Sequence, residues 1–160
     1  MDDEQLGAWI KLVAVVELLP GVLDSQLRRD AGLSHFEYFV LAMLSEAEDR
    51  TLRMTSLAQQ TNAALPRLSH VVRRLEDRDL VERFPCPDDG RATNARLTRS
   101  GMAQLVGAAP SHVANVRHHV IDALTPAQLH QLRDIADALL TTLDPEGRMS
   151  GLHGRAESHA

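Results

Sequence analysis

"PCPDDGRATNARLT", residues 85–98, decides the fold. Two prolines, two aspartates, a glycine and an arginine crowd into its first seven residues, and Gly90 is the only glycine between Gly32 and Gly101. The flanking "LVERFP" (80–85) and "TNARLT" (93–98) are strand-like. Asp88-Asp89-Gly90 supplies turn chemistry between them, with Gly90 expected at positive φ. Asp89 and Arg91 lie two apart at the tip. The carboxylate is expected to pair with the guanidinium and aim it, an arrangement suited to a DNA minor groove or to phosphates.

Upstream, "LPRLSHVVRRLEDRD" (65–79) carries Leu65, Leu68, Val71, Val72 and Leu75 on one helical face, with Pro66 in the first turn where a missing N–H costs nothing. "TNAA" (61–64) is a turn. "SLAQQ" (56–60) is a short helix with Thr55 as its expected N-cap. "TLRM" (51–54) is a minimal strand. Helix, turn, helix, strand, turn, strand is the order of a winged helix-turn-helix, with the opening stretch as the tip of its wing.

Long helices flank this unit. Residues 4–29 repeat apolar side chains every three or four positions, with a kink expected at Pro20-Gly21 and a left-handed cap at Gly32. Ser34 and Glu37 form a capping box for a second helix, which turns Phe36, Phe39, Val40, Met43 and Leu44 inward. Thr98 caps a helix over about 99–123, and Thr125-Pro126 starts a last one ending near Leu143. Its stripe of Leu124, Leu129, Leu132, Ile135, Leu139, Leu140 and Leu143 needs burial. Residues 144–160 lack periodicity and read as a flexible tail.

The chain has 160 residues, 44% of them hydrophobic but only 3% aromatic, so an aliphatic, mainly α core is expected. No apolar run approaches the roughly 20 residues of a membrane span, and the acidic start is no secretory signal. A single cysteine, Cys86, excludes an intrachain disulfide and fits a reducing, cytoplasmic setting. Net charge is −5, yet residues 66–99 hold eight arginines against six acids. The positive charge is local, as a nucleic-acid footprint requires.

The stretch "LAQQTNAALPRLSHVVRRLEDRDLVERFPCPDDGRATNARLTRSG" (57–101) resembles the DNA-binding lobe of the MarR family of transcription regulators. The family's wing pattern, Asp-x-Arg followed by Leu-Thr-x-x-Gly, stands here as Asp89, Arg91, Leu97, Thr98 and Gly101. "LSHFEYFVLAML" upstream and "LTPAQLHQL" downstream also fit, so the resemblance spans about residues 5–143. One departure is Ala64, where the family often opens the recognition helix with Ser or Thr. The resemblance implies one domain over 1–143. Residues 1–32 and 100–143 would be dimerisation helices, and 33–99 a winged helix-turn-helix lobe. It further implies a homodimer on a near-palindromic operator in double-stranded DNA, acting as a repressor that responds to a small aromatic or anionic effector.

The expected DNA contacts follow from the helix-turn-helix docking mode. Pro66, Arg67, Ser69 and His70 meet base edges, with Arg67 able to take a guanine bidentately. Arg73 and Arg74 meet phosphates, and Thr55, Ser56, Asp89 and Arg91 complete the set. Arg78, among acids, reads as a solvated position. Trp9, Val13, His35, Phe36, Phe39 and His112 are candidates for an effector cleft. No catalytic, metal or cofactor motif is present, so no enzyme is expected. Redox response through Cys86, with Arg83 nearby, or metal response through His112, His118 and His119 are the competing readings of the same fold. A structural role for Cys86 is preferred.

Overall fold

The computed structural model describes residues 1–149. The tail expected over 144–160 therefore lies, from residue 150 on, outside the described residues. Six α-helices, α1 (Asp3–Ala31), α2 (His35–Glu46), α3 (Met54–Gln60), α4 (Leu65–Glu76), α5 (Arg99–Val116) and α6 (Pro126–Leu143), accompany three strands, β1 (Thr51–Arg53), β2 (Val81–Cys86) and β3 (Asp89–Leu97). A π-helical turn, Arg117–Ile121, continues α5.

Helix ends fall where the capping chemistry puts them. Asp2 and Gln5 form a capping box at the start of α1, and Gly32 ends that helix at φ 62°. Ser34 and Glu37 cap α2, and Thr125 and Gln128 cap α6. α1 runs as one 29-residue helix through Pro20. Thr55 is not a cap. It lies inside α3, whose N-cap is Arg53 without a side-chain bond, because β1 passes directly into the helix. In the turn before α4, Asn62 sits at φ 48°, a left-handed position asparagine tolerates.

The sheet is antiparallel in the order β1-β3-β2. Pro85 lies on edge strand β2, where a missing N–H is harmless. Pro85 pairs with Thr93 but Cys86 pairs with Asp89, so β3 carries Gly90, Arg91 and Ala92 as extra residues. The turn itself is Pro87-Asp88. Gly90 thus sits within the irregular part of the strand and does not have positive φ. An added Cβ there would meet nothing within 4 Å. Gly101 is the glycine that packing demands: its Cβ would fall 2.1 Å from the Leu80 carbonyl oxygen and 2.6 Å from Leu97 Cδ1.

The core joins α2, α3, α4, the sheet and the inner ends of α1 and α5. Leu27, Leu33, Leu41, Leu44, Leu57, Leu68 and Leu75 are fully enclosed. Val40, Met43 and Leu44 point inward as expected, whereas Phe36 and Phe39 are only half-buried against the core.

The outer half of α1 and all of α6 stay out of it. α6 buries no residue, leaving Ile135 58% and Leu143 77% exposed, and α1 exposes Trp9, Ile10, Val15, Val16 and Leu18. By length and composition α1 could cross a membrane, which corrects the sequence reading. Lys11 and Glu17 interrupt its apolar run but do not remove that property.

Candidate nucleic-acid interface

α4 presents three faces. Leu68, Val72 and Leu75 are buried. Pro66, His70 and Arg73, spaced four and three apart, form the outermost exposed row. Arg67 and Arg74 flank that row towards α2, while Leu65 and Ser69 flank it towards the wing. Ala64, the N-cap, offers no side-chain bond, so in the exposed first turn of α4 the N–H groups of Leu65 and Arg67 have no side-chain cap.

Between α4 and the wing lies a groove lined by Arg53, Thr55, Ser69, Arg83, Arg91 and Thr93. It brings together three expected residues, Thr55, Ser69 and Arg91. It adds two that the sequence reading did not assign to DNA, Arg53 and Arg83. Arg53 comes from β1, and no short-range pattern points to it. Arg83 donates from Nε to Glu76 at 2.9 Å, and the pairing holds the Glu76 carboxyl below its ordinary range. Ser56 is half-buried on α3 beside exposed Thr55.

At the wing, the expected Asp89–Arg91 ion pair is replaced by a backbone contact. Asp89 Oδ1 accepts the Arg91 backbone N–H at 3.1 Å. With three extra residues in β3, the carboxylate meets the main chain of Arg91 first, and it shapes the bulge without aiming the guanidinium. Arg78 is also more than a solvated side chain, since it donates to the Gly32 carbonyl at 3.1 Å and ties the end of α1 to α4.

Cys86 is buried, and its neighbour is Arg53, whose Nη2 lies 3.4 Å from Sγ. The expected neighbour, Arg83, is engaged by Glu76.

The six cleft candidates separate into two groups. His35 and Tyr38 both pack tilted against the His112 ring, with ring centroids 6.1 Å apart for the histidines and 4.5 Å for Tyr38 and His112. Gln26 ties the cluster to α1: its Oε1 lies 3.3 Å from His112 Nδ1, and its Nε2 donates to Ser111 at 3.1 Å. Burial pushes both histidine pKa values below their usual level. Asp24 opposes this at His35, and the charge of His35 reinforces it at His112. Phe36 and Phe39 lie on the same helix as His35. Trp9 and Val13 do not join them within one chain. Asp24 accepts the His35 N–H at 2.9 Å, and at 1.5 Å per residue Trp9 lies about 22 Å farther along α1 and Val13 about 16 Å.

A family model described as MarR family matches residues 33–93. The HTH-type transcriptional regulator MhqR of Bacillus subtilis (strain 168) is 31% identical over 116 residues, covering 72% of this chain and 78% of that protein. The chain belongs to the MarR family. Two solved MarR regulators from Streptomyces coelicolor are similar throughout. Sco3205, crystallised in complex with DNA, shows 41% identity and a TM-score of 0.86 over 91% of both chains. AbsC shows 36% identity and a TM-score of 0.83, over 89% of this chain and 96% of its own. The fold is therefore that of a MarR winged-helix transcriptional regulator, with the match to the family model centred on the lobe that carries α4 and the wing.

Proposed function

We propose that this MarR regulator binds a near-palindromic operator in double-stranded DNA as a homodimer and acts as an effector-responsive repressor. The carrying observation is the uncapped start of α4, with Pro66, His70 and Arg73 outward and a groove of three arginines beside it. An open helix N-terminus, with Arg53 and Arg91 on the groove wall beside it, meets the needs of an element entering the major groove. Arg91 on the wing then reaches phosphates or the adjacent minor groove. The DNA complex of the 41% identical Sco3205 supports this reading.

The apolar faces left open on α1 and α6 support the pairing of two chains, with 1–32 and 100–143 as dimerisation helices and 33–99 as the DNA-binding lobe. The His35–Tyr38–His112 cluster lies where α1, α2 and α5 meet, so a small aromatic or anionic molecule there would act by favouring one spacing of the two lobes.

The test is selection of bound duplexes from a randomised library by the full chain. Enrichment of an inverted repeat with half-sites about one helical turn apart is expected. Recovery without any sequence preference would overturn the proposal.

A further inference from the structure

Arg67 and Arg74 sit seven residues apart on the same flank of α4, and both meet the first turn of α2. They meet it differently. Arg74 Nη2 lies 3.2 Å from Glu37 Oε1, and the Glu37 side chain is only 2% exposed. Its other oxygen accepts the Ser34 N–H at 2.7 Å. A buried carboxylate needs a countercharge, so the Arg74 guanidinium is held at Glu37 through Nη2 as its ion-pair partner. Arg67 instead lays its guanidinium over the Phe36 ring, 4.5 Å from the centroid. Stacking uses the face of a guanidinium and leaves its N–H edge free, the edge that forms a bidentate contact with guanine.

We propose that Phe36 is a positioning residue for base recognition, holding Arg67 by its face so that the N–H edge is presented to a guanine. The inference rests on the regulatory reading above and goes beyond it. It assigns readout to Arg67 alone of the two flanking arginines, and it makes a half-buried side chain of α2 a determinant of sequence preference. An unstacked arginine samples many rotamers, and fixing them beforehand lowers the entropy lost on binding. The effect is specific to an aromatic ring, because an aliphatic side chain fills the same space without attracting a cation.

The experiment compares base preferences of full-length wild type, Phe36→Tyr, Phe36→Leu, Arg67→Lys and Phe36→Leu/Arg67→Lys on a randomised duplex library. Wild type and Phe36→Tyr are expected to select the same guanine at one position of each half-site. Phe36→Leu and Arg67→Lys should select it about fivefold less strongly, equivalent to about 1 kcal/mol at 1.4 kcal/mol per decade. All other positions should stay unchanged, and the double variant should lose nothing further. Arg67 is exposed, so Arg67→Lys keeps the fold and the charge and tests the proposal even if Phe36→Leu does not fold.

A Phe36→Leu variant that weakens every position equally, or an Arg67→Lys variant with full preference, overturns the positioning role while the regulatory reading stands. Wild type that selects no sequence overturns both.

Discussion

The winged lobe and the terminal helices obey different rules. In the lobe, a short stretch of chain encloses six leucines, and Leu27 of α1 joins them. In α6, eighteen residues form a well-capped helix that buries none of them. Both regions show an apolar stripe at helical spacing, so periodicity alone does not distinguish a core from half of an interface. Only tertiary placement does: it encloses the stripe of α4 and leaves those of α6 and the outer half of α1 exposed.

Leucine truncations should separate the two regions most strongly. Leu68→Ala, in the enclosed core, should lower unfolding free energy by about 2–5 kcal/mol, read from denaturant titration. Leu139→Ala, 42% exposed on α6, should leave the lobe's stability unchanged and appear as weaker dimerisation. A Leu139→Ala loss as large as that of Leu68→Ala, and independent of protein concentration, would mean α6 belongs to the core of one chain.

The two glycines give the next contrast. Gly101→Ala places a methyl against the Leu80 carbonyl, so a loss of about 1–3 kcal/mol is expected on thermal unfolding. Gly90→Ala should leave stability within about 0.5 kcal/mol of wild type, as for an unconstrained surface site. A large loss at Gly90 would restore the turn role that the sequence suggests.

The histidine junction should make the fold acid-sensitive. His35 and His112 both titrate below the ordinary value of 6.5 in the folded chain. The unfolded chain therefore binds more protons as pH drops. Their contribution is fully present above about 6.5 and is lost as pH falls through the lowered folded values. The Tm should decline over that window, and His35→Gln/His112→Gln should flatten the decline. An unchanged decline in the double variant would assign it to the carboxylates.

The smallest effect is expected at the wing. Arg91→Ala should reduce the salt dependence of DNA binding by about one phosphate contact per subunit. Because Asp89 holds backbone and not guanidinium, Asp89→Asn and Arg91→Ala should combine additively within about 0.5 kcal/mol. A coupling well above that would show that the carboxylate aims the arginine after all.

How far the sequence could be read follows from the range of each signal. Caps at Ser34, Thr98 and Thr125, the Gly32 terminator and the α4 stripe are local, and each element they mark is present. The errors lie where two elements meet. Thr55 looks like a cap until β1 runs straight into α3. Gly90 looks like a turn residue until the register of β2 against β3 moves the turn to Pro87-Asp88. Arg53 and Arg83 enter the groove because strands carry them there, and Arg74 is claimed by Glu37 from another helix. None of these pairings has a short-range signature.

The most direct measurement is the solution mass of the full chain by sedimentation velocity at micromolar concentration. If the exposed faces of α1 and α6 are halves of one interface, a single species of twice the chain's mass is expected, and Val15→Asp/Leu132→Asp should return it to one chain with the lobe still folded. A wild-type protein that sediments as a stable monomer would contradict the dimer and, with it, the two-fold reading of DNA.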